Sequence, residues 1–140
     1  MKRTIEMTNM EIVNVIQTLN SPDSLINSND SEKKLPVSLL WTINGNIKPL
    51  KVIFDRIREE ELKINQAYFN DEKSDPINEE GVQEIKLEFR EAFLKEKNEL
   101  FAIKNDVDIT IIPLDSIKDF QLTPSDFNSI SFMIDDEPVE

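Results

Sequence analysis

Asp106-Val107-Asp108 sets two carboxylates two residues apart in a stretch that alternates polar and apolar side chains. On a strand, residues i and i+2 share a face, so Asp106 and Asp108 have a spacing that a two-metal site could use. Further acids cluster at Glu59-Glu60-Glu61, Glu79-Glu80 and Asp135-Asp136-Glu137. Such all-oxygen donor sets suit Mg²⁺ or Ca²⁺, yet no cluster has EF-hand spacing or its glycine. The competing reading is a solvated charged surface, and we adopt it for Asp106, Asp108 and the C-terminal acids. The chain has no Cys and no His. It therefore lacks thiolate nucleophiles, the commonest general base and the commonest zinc ligands. Its two glycines, Gly45 and Gly81, are too few for a phosphate-cradling loop. The expectation is a protein that is not an enzyme and carries no metal and no cofactor.

Binding residues are the other kind of candidate. Trp41 and Phe69 are large aromatics of the type that anchors a partner. Trp41 lies beside an apolar seam rather than on it, so packing onto the N-terminal helix competes with an exposed hot spot. Charge supplies the remaining candidates: Glu59, Glu60, Asp106, Asp108, Asp135 and Asp136. The net charge is −12, and residues 105 to 140 hold nine acids against Lys118 alone. Such a balance repels phosphate backbones and disfavours direct contact with nucleic acid. The expected partner is another protein, with a basic surface in one version, or a second copy in a homo-oligomer. The first residues lack the pattern of a signal peptide, and no segment has enough apolar residues to span a membrane. The cytoplasm is the expected location.

The elements that must hold these residues follow from periodicity. A chain of 140 residues is read as one domain, 1–140. Thr4 to Met7 reads as a short strand. Thr8-Asn9-Met10-Glu11 is a capping box, and Ile12, Val15, Ile16 and Leu19 then take helical spacing, predicting a helix from Asn9 to Leu19. Residues 20 to 34 read as a Ser/Asn-rich loop. Leu40, Ile43, Ile47, Leu50, Phe54, Ile57, Glu61, Ile64 and Tyr68 step by three and four, a heptad seam with one polar member. The spacing predicts one helix over 36–69, bent near Gly45 and Pro49, with a break into two helices as the alternative. Glu61 is expected to meet a base on the facing helix, such as Arg90 or Lys86, or else to sit where the seam opens to solvent. Glu59 to Lys63 and Glu91 to Lys95 are favourably ordered i, i+4 pairs.

A second long helix is predicted over 79–102, with a seam of Val82, Ile85, Phe89, Ala92 and Glu96, widened by Leu87, Phe93 and Leu100. Joined by a polar turn at 70–76, the two form a long antiparallel hairpin. Val107, Ile109 and Ile111 alternate with polar residues as a strand ending at Pro113, whose partner is the N-terminal strand. Thr123-Pro124-Ser125-Asp126 is a strong helix start, with Phe127, Ile130 and Ile134 facing inward and a frayed acidic tail at 135–140. The fold class expected is α+β and mainly helical: a long helical hairpin, small terminal helices and a minor two-stranded β-ribbon.

The order of five short motifs completes the reading. They are Met7-Thr8-Asn9-Met10-Glu11-Ile12-Val13-Asn14, Lys34-Leu35-Pro36-Val37, Ile111-Ile112-Pro113-Leu114, Leu122-Thr123-Pro124 and Phe132-Met133-Ile134-Asp135. In this order they resemble an uncharacterised family of short phage and prophage proteins from low-GC Gram-positive bacteria. The Ser/Asn-rich insert at 20 to 34 and the Gly45/Pro49 pair depart from that family's pattern. The resemblance implies a phage setting, and with it the cytoplasm of a bacterial host, and brings no catalytic residue. The expected function is that of a phage-encoded accessory protein acting through protein–protein binding or self-assembly. The alternative is an acidic, nucleic-acid-mimicking inhibitor of a host defence nuclease or nucleoprotein, such as a CRISPR or restriction system.

Overall fold

A computed structural model describes residues 2–20, 35–117 and 124–135. Strand β1 (Lys2–Thr8) leads directly into helix α1 (Asn9–Asn20). The expected capping box makes that junction. The Glu11 backbone N–H donates to Thr8 Oγ1 and the Thr8 N–H donates to Glu11 Oε1, each at 3.1 Å. Two donors that the helix start leaves open are thus satisfied reciprocally. Ile12, Val13, Ile16 and Leu19 are buried, so α1 turns one apolar face inward.

Helix α2 runs without interruption from Val37 to Tyr68, 32 residues. That is a rod about 48 Å long. Pro36 is its N-cap rather than its first helical residue. The alternative of a break at Gly45–Pro49 does not occur. Both residues are on the exposed side, so the Gly45 carbonyl freed by Pro49 faces water. The apolar seam is the buried face: Ile43 and Leu50 are fully enclosed, Ile47 and Ile57 nearly so, and Glu61 is half-buried.

Asn70 ends α2. Its amide donates to the carbonyls of Ala67 and Gln66, while its Oδ1 accepts from the N–H groups of Glu72 and Lys73. Orphan carbonyls of the last turn are thereby satisfied and the chain reverses. The Ser74 hydroxyl, also buried, donates to the Tyr68 carbonyl.

The second long helix starts later than expected. Helix α3 covers Leu87–Ala102, not 79–102. Residues 73–75 and 84–86 pair instead, through Asp75 N–H to Glu84 O at 2.8 Å and Lys86 N–H to Lys73 O at 2.9 Å. Between them the Asn78 side chain accepts from the N–H groups of Glu80 and Val82, and Gly81 takes φ +78. A side chain that captures those donors, followed by a left-handed glycine, competes successfully with helix. The seam shifts accordingly. Phe89, Phe93, Lys97 and Leu100 are the covered row, with Phe93 and Lys97 against α2, whereas Leu87, Ala92 and Glu96 are exposed and Val82 lies outside the helix. The helical hairpin is therefore real but short: α3 covers only the C-terminal half of α2, and the N-terminal half packs on α1 and the ribbon.

Strand β2 (Lys104–Thr110) pairs antiparallel with β1, Ile5 opposite Val107 and Arg3 opposite Ile109, the ribbon that the alternation predicts. Its inner residues Met7, Val107 and Ile109 join the core, while Thr4, Glu6, Asp106 and Asp108 face outward. The chain then forms a pairing that periodicity does not reveal. Strand β3 (Ile112–Pro113) runs parallel to β4 (Ile134–Asp135), with α4 (Pro124–Ile130) in the connection. Ile134 is thus a strand residue rather than part of a helix face. A 3₁₀ turn at Ser131–Met133 buries Met133, while Phe127 remains partly exposed. The Thr123 cap, the loop at 21–34 and the tail from 136 onward lie outside the described residues. The result is an α+β, mainly helical fold with one continuous core.

Candidate functional site

Helix α2 has two opposite faces. At about 100° per residue, Trp41, Val52 and Glu59 fall within roughly 20° of one line along the rod, diametrically across from Leu50 and Tyr68. Leu50 is 0% exposed, while Trp41 is 80%, Val37 81%, Val52 72% and Leu62 56% exposed. Apolar side chains this open, recurring along one side of a rigid rod, form a surface of the kind that partners cover. Packing of Trp41 onto α1, one of the two expectations, does not occur. Charges share this face. Lys48, Asp55 and Glu59 are exposed, and Lys48 and Asp55 make no ion pair among the described residues.

The other candidates are not gathered there. Phe69 lies at the far end of α2, about 40 Å from Trp41. Its ring meets the Phe93 ring edge-on at 5.8 Å, and Tyr68 meets Phe93 at 5.4 Å. Phe69 thus closes the end of the helical hairpin, beside a shallow groove lined by Ile85, Phe93 and Leu94. The guanidinium of Arg90 in that groove is already committed to the Ile85 carbonyl and Glu84. The Tyr68 hydroxyl donates to Glu96. That bond, with some loss of hydration, holds the phenol above its ordinary range.

Glu61 finds a base on the facing helix, as expected, though it is Lys97 rather than Arg90 or Lys86. Lys97 Nζ lies 3.1 Å and Arg58 Nη1 2.8 Å from its carboxylate. The later start of α3 brings residue 97, rather than 86 or 90, level with Glu61. Burial pushes the Glu61 carboxyl upward, but Lys97 and Arg58 outweigh it and hold the group below its usual 4.5. A depressed folded value gives stability that is present above the unfolded value and lost as pH falls through the folded one. Glu61→Gln is therefore expected to cost about 1 kcal/mol at neutral pH. The gap to wild type should stay constant at high pH and shrink below pH 4.5. Urea melts across that range check it. A gap that does not narrow in acid would contradict the coupling.

Asp106 and Asp108 lie on the outer face of the ribbon. Asp108 accepts a 2.5 Å hydrogen bond from Thr4 Oγ1, and Asp106 stands opposite Glu6. Lys104 reaches Glu6 at 3.5 Å, so the face mixes signs. No group of three or more acids with the geometry of a cation site occurs among the described residues. Glu60 pairs with Lys63 at 3.2 Å, taking the base expected for Glu59, and leaves Glu59 on the Trp41 face. Asp135 lies 3.8 Å from Arg3. Asp136 is outside the described residues. Among the described residues, these candidate acids lie at separate places in the fold.

A cleft of about 330 Å³ opens between α2, α3 and the start of β2, with Arg56 and Glu60 on its wall. Its amides are occupied: Asn9 Nδ2 donates to the Leu100 carbonyl, and Asn105 Nδ2 donates to Asn9 Oδ1 and the Met7 carbonyl. They fasten backbone and offer little to a ligand. Among the described residues no helix is long and apolar enough to cross a membrane.

The open face of α2 was only partly legible beforehand. Sequence reasoning singles out Trp41 and Glu59 on it, but not Val52, Lys48, Asp55 or Leu62. Their signal is a second row offset from the core seam, which has meaning only once the helix is continuous through Pro49. Compared with known proteins, the chain matches no family model, no curated protein and no solved structure.

Proposed function

We propose that this chain is a non-enzymatic, phage-encoded accessory protein that works by protein–protein binding or self-assembly, using the open face of α2. The observation that carries the reading is Trp41, 80% exposed on the side of a rigid helix opposite the core. An aromatic of this size held on a packed scaffold offers large contact area without ordering a mobile segment. Val37 and Val52 extend the apolar surface along the same side. The phage setting rests on the motif order alone, and a location in the host cytoplasm belongs to the same proposal.

The acidic-inhibitor reading rests on the net charge of −12. It is the weaker of the two, because the outer face of the ribbon carries Lys2 and Lys104 among Glu6, Asp106 and Asp108. The two readings respond oppositely to salt: binding through Trp41 should persist at high ionic strength, whereas charge-driven capture of a basic groove should weaken steeply. Trp41→Ala is expected to weaken association roughly 30-fold or more while leaving the melting curve unchanged. Titration of labelled wild-type and variant protein against host lysate fractions, then against the purified binder, measures this. Equal affinity of wild type and Trp41→Ala would sink the reading.

A further inference from the structure

Building on the binding role of this face, we propose that its occupant is a second copy of the chain, packed antiparallel on α2 across a twofold axis near Val52. Trp41, Lys48, Asp55 and Leu62 follow one another at intervals of seven residues. On a continuous helix they form one row, about 32 Å from Trp41 to Leu62. Reversed end for end, the row is its own complement. Trp41 then meets Leu62 of the second copy, and Lys48 meets Asp55 of the second copy, each contact occurring twice. The adjoining row of Gly45, Val52 and Glu59 has the same property: Val52 meets its own counterpart on the axis, and Gly45 faces Glu59. A Cβ built on Gly45 meets nothing within 4 Å, so there is open space over it for a longer side chain.

The sign pattern selects this occupant. A parallel pairing would set Lys48 on Lys48 and Asp55 on Asp55, which is repulsive. A uniformly basic or acidic partner would satisfy one of these charges and repel the other. Both are exposed and without an ion pair among the described residues, so each is available to a new contact. A twofold interface requires a surface that complements itself when rotated, and this row does so in shape order and in charge.

Charge exchange between chains tests the inference. Lys48→Asp leaves acids at both 48 and 55; Asp55→Lys leaves bases at both. Each variant alone replaces two attractive contacts with two repulsive ones, and its self-association, measured by sedimentation equilibrium, should weaken about tenfold. An equimolar mixture should regain wild-type association, because every 48–55 contact in the mixed dimer is again between opposite charges. The double variant should regain it too, which distinguishes charge pairing from damage to the fold. A wild-type chain that stays monomeric at every concentration overturns this inference but not the binding role, which stands or falls with Trp41→Ala against its partner. A dimer insensitive to all of these exchanges overturns the proposed face and register.

Discussion

Asn46→Ala is expected to remove about 2–4 kcal/mol of folding stability, although no charge and little apolar surface is lost. Asn46 is 3% exposed on the inner side of α2. Its Nδ2 donates to the Thr110 carbonyl at 2.9 Å, and its Oδ1 accepts from the Thr110 N–H at 2.8 Å. One side-chain amide thus takes both polar groups that the end of β2 turns away from β1. A neighbouring strand would normally do this. With Ala there, a donor and an acceptor lose their partner in the interior, and each such loss costs about 1–3 kcal/mol. Urea unfolding monitored by circular dichroism reads the effect. Asn44→Ala, on the exposed side, should change stability by no more than about 0.5 kcal/mol. A loss below about 1 kcal/mol for Asn46→Ala would mean that water reaches Thr110 and that α2 is not fastened to the ribbon there.

The second large effect separates the two faces of α2 within two residues. Leu50 is 0% exposed and Val52 is 72% exposed. Leu50→Ala should cost about 2–5 kcal/mol, the transfer term plus the cavity left behind. Val52→Ala should cost less than about 0.5 kcal/mol in the isolated chain. It should, however, weaken any association through the open face. Thermal and urea melts of the two variants side by side provide the measurement. Similar losses at both positions would mean that α2 is rotated about its axis, and the argument for its open side would go with it.

What could be read from the sequence was what local chemistry decides. The seam from Leu40 to Tyr68 turns inward, buried or partly buried throughout, because three-four spacing puts those residues on one side of a helix. The Thr8/Glu11 box and the pairing of β1 with β2 likewise rest on side chains within a few residues or on simple alternation. Residues 79–86 could not be read the same way. Their apolar spacing favoured helix, but capture by the Asn78 side chain and the bridge between Ser74 and Ile85 prevailed. The partner of Glu61 depends on register, so one misplaced helix start redirected it from Lys86 or Arg90 to Lys97. The β3–β4 contact joins two-residue segments far apart in the chain, too short to leave a period. Trp41 was ambiguous for a different reason. A residue beside a seam is covered or open according to what other layers reach it, and periodicity does not carry that information.

Access to the sole tryptophan tests most directly whether α2 keeps one side in the core and the other open. Collisional quenching of Trp41 emission by acrylamide should be measured on the folded chain at high dilution, and again after unfolding in urea. The predicted result is a quenching constant near that of the unfolded chain, with emission already shifted to the red. A blue-shifted emission that the quencher cannot reach at any dilution would put Trp41 inside the fold and contradict the account.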